Sequence, residues 1–159
     1  MEIPKFSHEC GKPGIEFLPH RPPFLFVDKL IAADDTGCVG EFTYRPEEFE
    51  YLTPTSGGTA AVPGVILIES MSQVAGAGMV SQGFVGGKDK EAVFAFAAVD
   101  KARFRRPVRL GDTLVTVVRN EKVRRPLGVF SLKGYVNGEL VAEALVKCML
   151  SERAKAREA

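Results

Sequence analysis

The sequence predicts an α+β fold in which one antiparallel sheet of five or six strands wraps around a single long helix. Residues 65–82 are apolar on nearly every side, which is typical of a helix that is buried all round. Segments rich in β-branched and aromatic residues lie before and after this helix, as expected of strands. Asn137-Gly138 joins two such segments and is the strongest short-range signal of a β-hairpin. One buried helix beside one large sheet indicates that the sheet encloses the helix.

The N-terminal part of the chain predicts an irregular arm followed by two strands. Residues 1–16 are interrupted by Gly and Pro, so we expect no regular structure there. Apolar runs over residues 24–33 and 38–44 are the two predicted strands. The Thr-, Pro- and Gly-containing stretch over residues 45–63 is a predicted loop.

The predicted helix contains Gly76 and Gly78 in its second half, and each glycine costs about 1 kcal/mol of helix stability. We expect a neighbouring backbone to pass close to these two positions, since a missing side chain permits such an approach. A Gly-rich break over residues 83–90 ends the helix. The remaining predicted strands lie at residues 92–99, 113–123, 128–136 and 139–150.

The chain is expected to form one domain over residues 1–159, ending in a charged tail over residues 151–159. A chain of this length buries about two thirds of its unfolded surface in a single core. No internal repeat and no low-complexity linker divides the sequence. A single domain with one core is therefore predicted.

The composition argues against several functional classes. Hydrophobic residues make up 45% of the chain and the formal net charge is +1, which favours neither a disordered chain nor a nucleic-acid binder. Three widely spaced cysteines and only two histidines predict no disulfide framework, no metal site and no cofactor. Every long apolar run contains polar residues, and the N-terminus lacks a basic region before an apolar one. We therefore expect no membrane span, no secretory signal and a cytoplasmic location.

Glu69 is the most informative candidate for chemistry, because it lies in the buried helix directly after apolar residues 65–68. Gln73 lies four residues further on and hence on the same helix face. Burial disfavours the charged form of a carboxyl group unless a partner stabilises it, and such groups serve as general acids or bases. The alternative interpretation is a structural glutamate that bonds Gln73 or loop backbone.

Pro63-Gly64 precedes this glutamate at the predicted start of the helix. Backbone N–H groups at a helix N-terminus stabilise negative charge, as in an oxyanion site. We therefore expect Gly64 to act as a backbone donor in catalysis, and Pro63, Val65 and Gln73 to contact the substrate. The alternative is that Pro63-Gly64 only turns the chain.

Basic residues are concentrated over residues 101–125, which contain nine basic and two acidic residues in a chain whose net charge is +1. Such a cluster could receive an acidic carrier protein or the phosphates of coenzyme A. The alternative is a solvated strand face whose charges protect a sheet edge. The candidate carrier-binding residues are Lys101, Arg103, Arg105, Arg106 and Arg109.

Three segments and the closing hairpin together resemble the hot-dog-fold 3-hydroxyacyl-acyl-carrier-protein dehydratases of fatty-acid synthesis. The segments are LPHRPPFLFVDKL (18–30), VPGVILIESMSQVAG (62–76) and VDKARFRRPVRLGD (99–112), and the similarity covers residues 16–150. The resemblance implies a hot-dog fold, a homodimer or a higher oligomer such as a trimer of dimers, and an active site at the dimer interface. It also implies that the partner is an acyl carrier protein or an acyl-coenzyme A thioester.

The resemblance assigns roles to individual residues. Glu69 matches the family's helix carboxylate, Gly64 matches the glycine whose N–H binds the thioester carbonyl, and Gln73 matches a Gln on the same face. The family carries a histidine nine residues before that glycine, and Thr55 occupies this position here. Thr55 stays a candidate catalytic position, although a threonine transfers no proton near neutral pH. His20 is interpreted as a structural turn residue, because the family has this histidine in addition to the catalytic one.

Three hypotheses for the function follow from these residues. The first is 3-hydroxyacyl-acyl-carrier-protein dehydration in fatty-acid-type biosynthesis, with Glu69 as the surviving acid/base group of a hydro-lyase. The second is a hot-dog thioesterase, in which the Glu69 carboxylate activates water or attacks the thioester directly. The third is a non-catalytic protein that binds acyl carriers or acyl chains.

Overall fold

The computed structural model describes residues 3–52, 61–87 and 90–154, where seven strands form one antiparallel sheet around a long helix. The strand order across the sheet is β1-β2-β3-β5-β6-β7-β4, so that β1 and β4 form its two edges. The strands are β1 (His8–Pro13), β2 (Lys29–Asp34), β3 (Gly37–Thr43), β4 (Lys90–Phe104), β5 (Thr113–Arg124), β6 (Leu127–Val136) and β7 (Glu139–Ala154). The helices are α1 (Pro46–Phe49) and α2 (Gly64–Ser81), and short 3₁₀ turns occupy Gly14–Glu16 and Glu50–Leu52.

The predicted hot-dog architecture is confirmed, but the strand count of five or six is too low because part of the N-terminal arm is a strand. β1 pairs antiparallel with β2, with His8 opposite Ala33 and Pro13 opposite Lys29. The free edge of β2 offers backbone partners to the arm, and an edge strand tolerates the proline. The prediction of an irregular arm over residues 1–16 is therefore wrong for residues 8–13.

The predicted charged tail over residues 151–159 also begins too early. β7 continues through Ala154, where it pairs with Lys90 at the start of β4. Backbone hydrogen bonding to the long β4 strand extends β7 regardless of its charged side chains. Residues 155–159 lie outside the described part of the chain.

Helix α2 forms the centre of the core and packs against β2 to β7. It is long and apolar enough to span a membrane by length and composition alone, but 61% of it is buried inside this fold. Gly76 and Gly78 contact side chains and not the neighbouring backbone that was predicted. A Cβ at Gly78 would lie 2.5 Å from Cys38 Sγ, and one at Gly76 would lie 3.1 Å from the Phe94 ring. The two glycines therefore let β3 and β4 approach the helix through their side chains.

An aromatic cluster supports the chain segments in front of α2. Phe26, Phe42, Tyr44 and Phe49 pack with neighbouring ring centroids between 4.9 and 6.1 Å apart. Phe49 belongs to α1, which lies where the sequence predicted only a loop. Pro46 opens this short helix because its fixed φ suits the first helical turn. Burial of Phe49 in the cluster then stabilises the turn.

The C-terminal hairpin confirms the sequence prediction. Asn137 and Gly138 have φ values of +50° and +79°, as the tight turn between β6 and β7 requires. Along β7, Ala142, Ala144, Val146 and Cys148 are buried. Glu143 and Lys147 alternate with them on the opposite face and remain partly exposed. This alternation places Cys148 against α2 and carries the charged residues to the outer face.

Candidate functional site

A cavity of about 50 Å³ lies between α2 and the C-terminal strands. Four polar side chains line it: His20, Glu69, Ser72 and Gln73. Apolar residues of β4, β6 and β7 complete the wall, among them Phe94, Phe96, Phe130 and Leu150. The combination of an ionisable pair with apolar walls is typical of a ligand or active site.

Glu69 reaches this cavity from α2, and its side chain retains only 19% exposure. The helical spacing places Gln73 one turn further on, and Gln73 Nε2 donates a hydrogen bond of 2.9 Å to Glu69 Oε1. The predicted common face of these two residues is therefore confirmed. The carboxylate is neither in bulk solvent nor without a partner.

Gln73 is buried, with 3% exposure, and its amide holds the site together. The Phe26 N–H donates to Gln73 Oε1 at 2.7 Å, and Gln73 Nε2 also donates to the Phe24 carbonyl at 3.1 Å. These bonds explain why the predicted strand over residues 24–33 starts only at Lys29. The Phe26 N–H and the carbonyls of Phe24 and Phe26 bond to side chains of the helix, and the Phe24 N–H donates to the Arg21 carbonyl.

His20 contributes the second ionisable group of the cavity, with Nε2 at 3.7 Å from Glu69 Oε1. Arg21 Nη1 donates to the carbonyls of Leu18 and His20 at 2.9 and 2.7 Å, which fixes the turn that carries the imidazole. His20 Nδ1 is buried and has no hydrogen-bond partner among the described residues. Desolvation lowers the pKa of His20, the Glu69 carboxylate opposes this shift, and Arg21 adds to it.

The sequence analysis did not predict that His20 lies beside Glu69. Residues 20 and 69 are far apart along the chain, and no local periodicity relates them. The only local signal was the proline-rich surrounding of His20, which indicated a fixed backbone without a partner. The proximity depends on the hydrogen bonds that tie the segment after His20 to α2.

Cys148 also lines the cavity. Desolvation, and to a lesser extent the nearby Glu69 carboxylate, raises the pKa of Cys148 to about 11. The thiol is therefore protonated near neutral pH and is a poor nucleophile. Cys38 is buried against α2, and burial likewise raises its pKa. The interpretation of both residues as unreactive buried thiols agrees with these surroundings.

The residues predicted at the helix start lie apart from this cavity within one chain. Gly64 and Glu69 are five positions apart on the helix, which corresponds to a rise of about 7.5 Å and a rotation of about 140°. Neither Gly64, Pro63 nor Val65 lines the cavity. The Phe104 ring covers Gly64, where an added Cβ would lie 2.8 Å from it. Within the described part of the chain, the Gly64 N–H has no backbone acceptor.

The five predicted carrier-binding residues lie on β4 and on the connection to β5, and they differ in their pairing. Arg105 and Arg106 form ion pairs of 3.0 and 2.8 Å with Glu143 and Glu139. The hydrogen bond from Arg105 lowers the pKa of Glu143, and the charges of Lys133 and Arg103 act in the same direction. The residues of the set without an ion pair in the described part of the chain are Lys101, Arg103 and Arg109.

Two further predictions concern Thr55 and metal binding. Thr55 lies outside the described residues. Within residues 3–52, 61–87 and 90–154, no group of three or more His, Cys, Asp or Glu side chains is placed to hold a metal ion.

Comparison with protein families finds a match to the FabA-like domain over residues 18–145. This range includes His20, Glu69, Gln73 and the complete β4 to β6 region. It is most of the chain, and it begins just after the short 3₁₀ turn that follows β1.

Individual relatives agree with this match. The 3-hydroxyacyl-[acyl-carrier-protein] dehydratase FabZ of Syntrophotalea carbinolica is 40% identical over 144 residues, covering 89% of this chain and 94% of that protein. The bifunctional enzyme LpxC/FabZ of Chlorobaculum tepidum is 38% identical over 162 residues, covering 94% of this chain but only 33% of that enzyme. The chain thus spans about a third of the bifunctional relative.

Among solved structures, the dehydratase heterocomplex ApeI:P from Xenorhabdus doucetiae matches with a TM-score of 0.75. The sequence identity is 16%, and the match covers 88% of this chain and 91% of the matched chain. At this identity the likeness supports the fold.

Proposed function

The chain belongs to the FabA-like domain family, and from this premise we propose that it dehydrates 3-hydroxyacyl thioesters carried by an acyl carrier protein. In this reaction the C2–H and C3–O bonds break and a C2=C3 double bond forms. One proton leaves C2 and one proton joins the C3 hydroxyl, so no proton is gained or lost overall. The products are an enoyl thioester and water. The reaction needs no cofactor, and it would place the protein in cytoplasmic fatty-acid-type synthesis.

The observation that carries this proposal is the position of Glu69. Its carboxylate lies at an apolar cavity, and its Oε1 atom is oriented by the Gln73 amide at 2.9 Å. In its protonated form the Glu69 carboxyl group would give its proton to the departing C3 hydroxyl, while the acyl chain would contact Phe94, Phe96 and Leu150. General acid/base groups of this kind contribute about 10²–10⁴-fold to a rate.

We propose that a second copy of the chain completes the site. Gly64 does not line the cavity of its own chain, and its N–H has no backbone acceptor among the described residues. A helix start from a second copy would supply N–H donors for the thioester carbonyl, with Pro63 and Val65 beside the substrate. A homodimer would contain two such sites, and further assembly into a trimer of dimers would leave both intact.

The sheet edges support dimer formation through β4. β1 is short and carries charged residues and Pro13, which protect an edge against pairing. Residues 92–99 of β4 contain no charge, and Phe96 and Val99 are 45% and 43% exposed. A long uncharged edge of this kind favours pairing with another strand. We therefore assign the dimer interface to β4.

Replacing Val99 by Lys should shift the protein from dimer to monomer in analytical ultracentrifugation. Burying a valine contributes about 1.5–3 kcal/mol, so the change should weaken dimerisation about 10-fold or more. Ile3→Lys is the matched control, because Ile3 is 40% exposed and precedes β1. Equal dimerisation of the Val99→Lys variant and the unmodified protein would refute the β4 interface.

The basic residues on β4 and after it would attract the acidic carrier. Lys101 and Arg103 are exposed on β4, and neither forms an ion pair in the described part of the chain. Arg105 and Arg106 are already paired with glutamates, so they should contribute less to the attraction. Arg109 would extend the positive surface toward the start of α2, since its neighbour across an isolated bridge is Ala61.

Association with an acyl carrier protein should slow as salt rises, because the Debye length shortens from about 30 Å at 0.01 M to about 8 Å at 0.15 M ionic strength. Lys101→Glu should lower the association rate and flatten this dependence in stopped-flow measurements. Lys12→Glu on β1 is the control with the same change of charge at the opposite sheet edge. A rate that does not respond to salt would assign the basic residues to a merely solvated surface.

The proposed function is tested by incubating the protein with a 3-hydroxyacyl thioester and, separately, with a saturated acyl thioester. Enoyl product from the first substrate supports dehydration. Free thiol from the saturated substrate would instead support a thioesterase, in which the Glu69 carboxylate activates water or attacks the thioester. Binding of both substrates without turnover would indicate a carrier or acyl-chain binding protein and would refute the enzyme proposal.

A further inference from the structure

We propose that His20 is the second acid/base group of this site and acts together with Glu69 of the same chain. In the reactive state the pair holds one proton, on Glu69. Neutral His20 would remove the C2 proton, while the protonated Glu69 carboxyl group gives its proton to the C3 hydroxyl, which leaves as water. This inference rests on the proposed dehydration and deepens it, because it assigns the proton transfer that Thr55 cannot perform.

The geometry suits two proton transfers to adjacent carbons. His20 Nε2 and Glu69 Oε1 are 3.7 Å apart and line the same cavity. A substrate placed beside both atoms would present its C2 hydrogen to one and its C3 hydroxyl to the other from one side. The gap exceeds a direct hydrogen bond of about 2.6–3.2 Å, as is common before substrate binds. After water leaves, the proton on Nε2 can return to the carboxylate across the same gap and reset the site.

Two polar atoms of the cavity lack partners in the described part of the chain. They are His20 Nδ1 and Ser72 Oγ, and both are buried. Buried polar atoms are nearly always hydrogen-bonded, so unpaired ones call for an explanation. Both atoms belong to residues that line the cavity, so its wall beside Glu69 is polar.

The charge state of the imidazole is compatible with a base. Desolvation lowers the pKa of His20 from its ordinary value of 6.5, so the neutral ring predominates at neutral pH. The charged groups that act on it are Glu69 on α2 and Arg21 in its own turn. Cys148 on β7 lines the same cavity, but burial keeps its thiol protonated.

No other described residue of the cavity can take this role. Ser72 and Gln73 do not titrate near neutral pH, and Cys148 is protonated. His8, the second histidine of the chain, is exposed on β1 and does not line the cavity. Of the side chains that line this cavity, His20 is therefore the one available as a neutral base.

The test compares His20→Gln with His8→Gln, which makes the same change at an exposed position on β1. With a 3-hydroxyacyl thioester as substrate, His20→Gln should lower kcat/KM about 10²–10⁴-fold. His8→Gln should leave it unchanged. In the unmodified protein the pH profile of kcat/KM should show a limb at the lowered pKa of His20, below 6.5, because the pair must hold one proton while the imidazole is neutral. This limb of the profile should be missing in His20→Gln.

Chemical rescue separates catalysis from a structural role. Free imidazole should restore part of the activity of His20→Ala, because the native side chain is 24% exposed and solutes can reach its place. Near-normal kcat/KM in His20→Gln, or the absence of both rescue and a change in the pH profile, would overturn the role of His20 while the dehydration itself stands. Absence of dehydration by the unmodified protein would overturn both proposals.

Discussion

Glu69→Gln is expected to lower kcat/KM for dehydration about 10²–10⁴-fold, which is the usual contribution of a general acid/base group. The amide has nearly the shape of the carboxyl group. It can still accept the hydrogen bond from Gln73, which is 2.9 Å long in the unmodified protein. It cannot donate the proton that the C3 hydroxyl needs to leave as water. Loss of kcat with little change in KM would show that the interaction is made in the transition state.

The control for this variant is Glu9→Gln, which removes one negative charge from an exposed position on β1. It should have the activity of the unmodified protein. Thermal unfolding of both variants should stay close to that of the unmodified protein, because Glu69 lies at the cavity and retains some exposure. Undiminished dehydration by Glu69→Gln would contradict the assigned role and favour a structural glutamate.

Local patterns predicted those parts of the fold that depend on neighbours in sequence. The stretch that is apolar on nearly every side gave α2 to within about a residue at each end, and Asn137-Gly138 gave the hairpin through its two positive φ angles. The i, i+4 spacing placed Gln73 beside Glu69, as the hydrogen bond between them confirms. Each of these features is determined within a few residues of the chain.

Local patterns did not predict the contacts between segments that are far apart in the sequence. β1 exists because residues 8–13 find the free edge of β2, and nothing in their own composition favours a strand. The approach of His20 to Glu69 depends on the Arg21 side chain, which fixes the turn, and on Gln73 binding the backbone at residues 24 and 26. Similarly, the glycines of α2 accept side chains whose positions are determined by β3 and β4.

This dependence on long-range contacts makes Gln73 a critical residue for both stability and activity. Gln73→Leu keeps the volume of the side chain but removes the acceptor of the Phe26 N–H, whose hydrogen bond is 2.7 Å long and buried. It also removes the donor that the Phe24 carbonyl and Glu69 Oε1 share. A buried group without its partner costs about 1–3 kcal/mol, so the free energy of unfolding should fall by at least that amount.

The melting temperature should fall by about 2–4 °C for each kcal/mol lost in a domain of this size. Calorimetry at one fixed protein concentration measures this, since dimer formation makes the melting temperature depend on concentration. Gln82→Leu is the matched control, because Gln82 is the C-cap that follows α2 and its side chain makes no hydrogen bond in the described part of the chain.

Dehydration by Gln73→Leu should fall as well, because Glu69 loses the donor that orients it and the segment between His20 and β2 loses its attachment to the helix. The two ionisable groups would then separate, although neither has been changed. A Gln73→Leu protein with normal stability and normal kcat/KM would show that this amide neither supports the fold nor positions the pair. A variant with normal stability but lower kcat/KM would show that Gln73 acts by positioning Glu69 and His20.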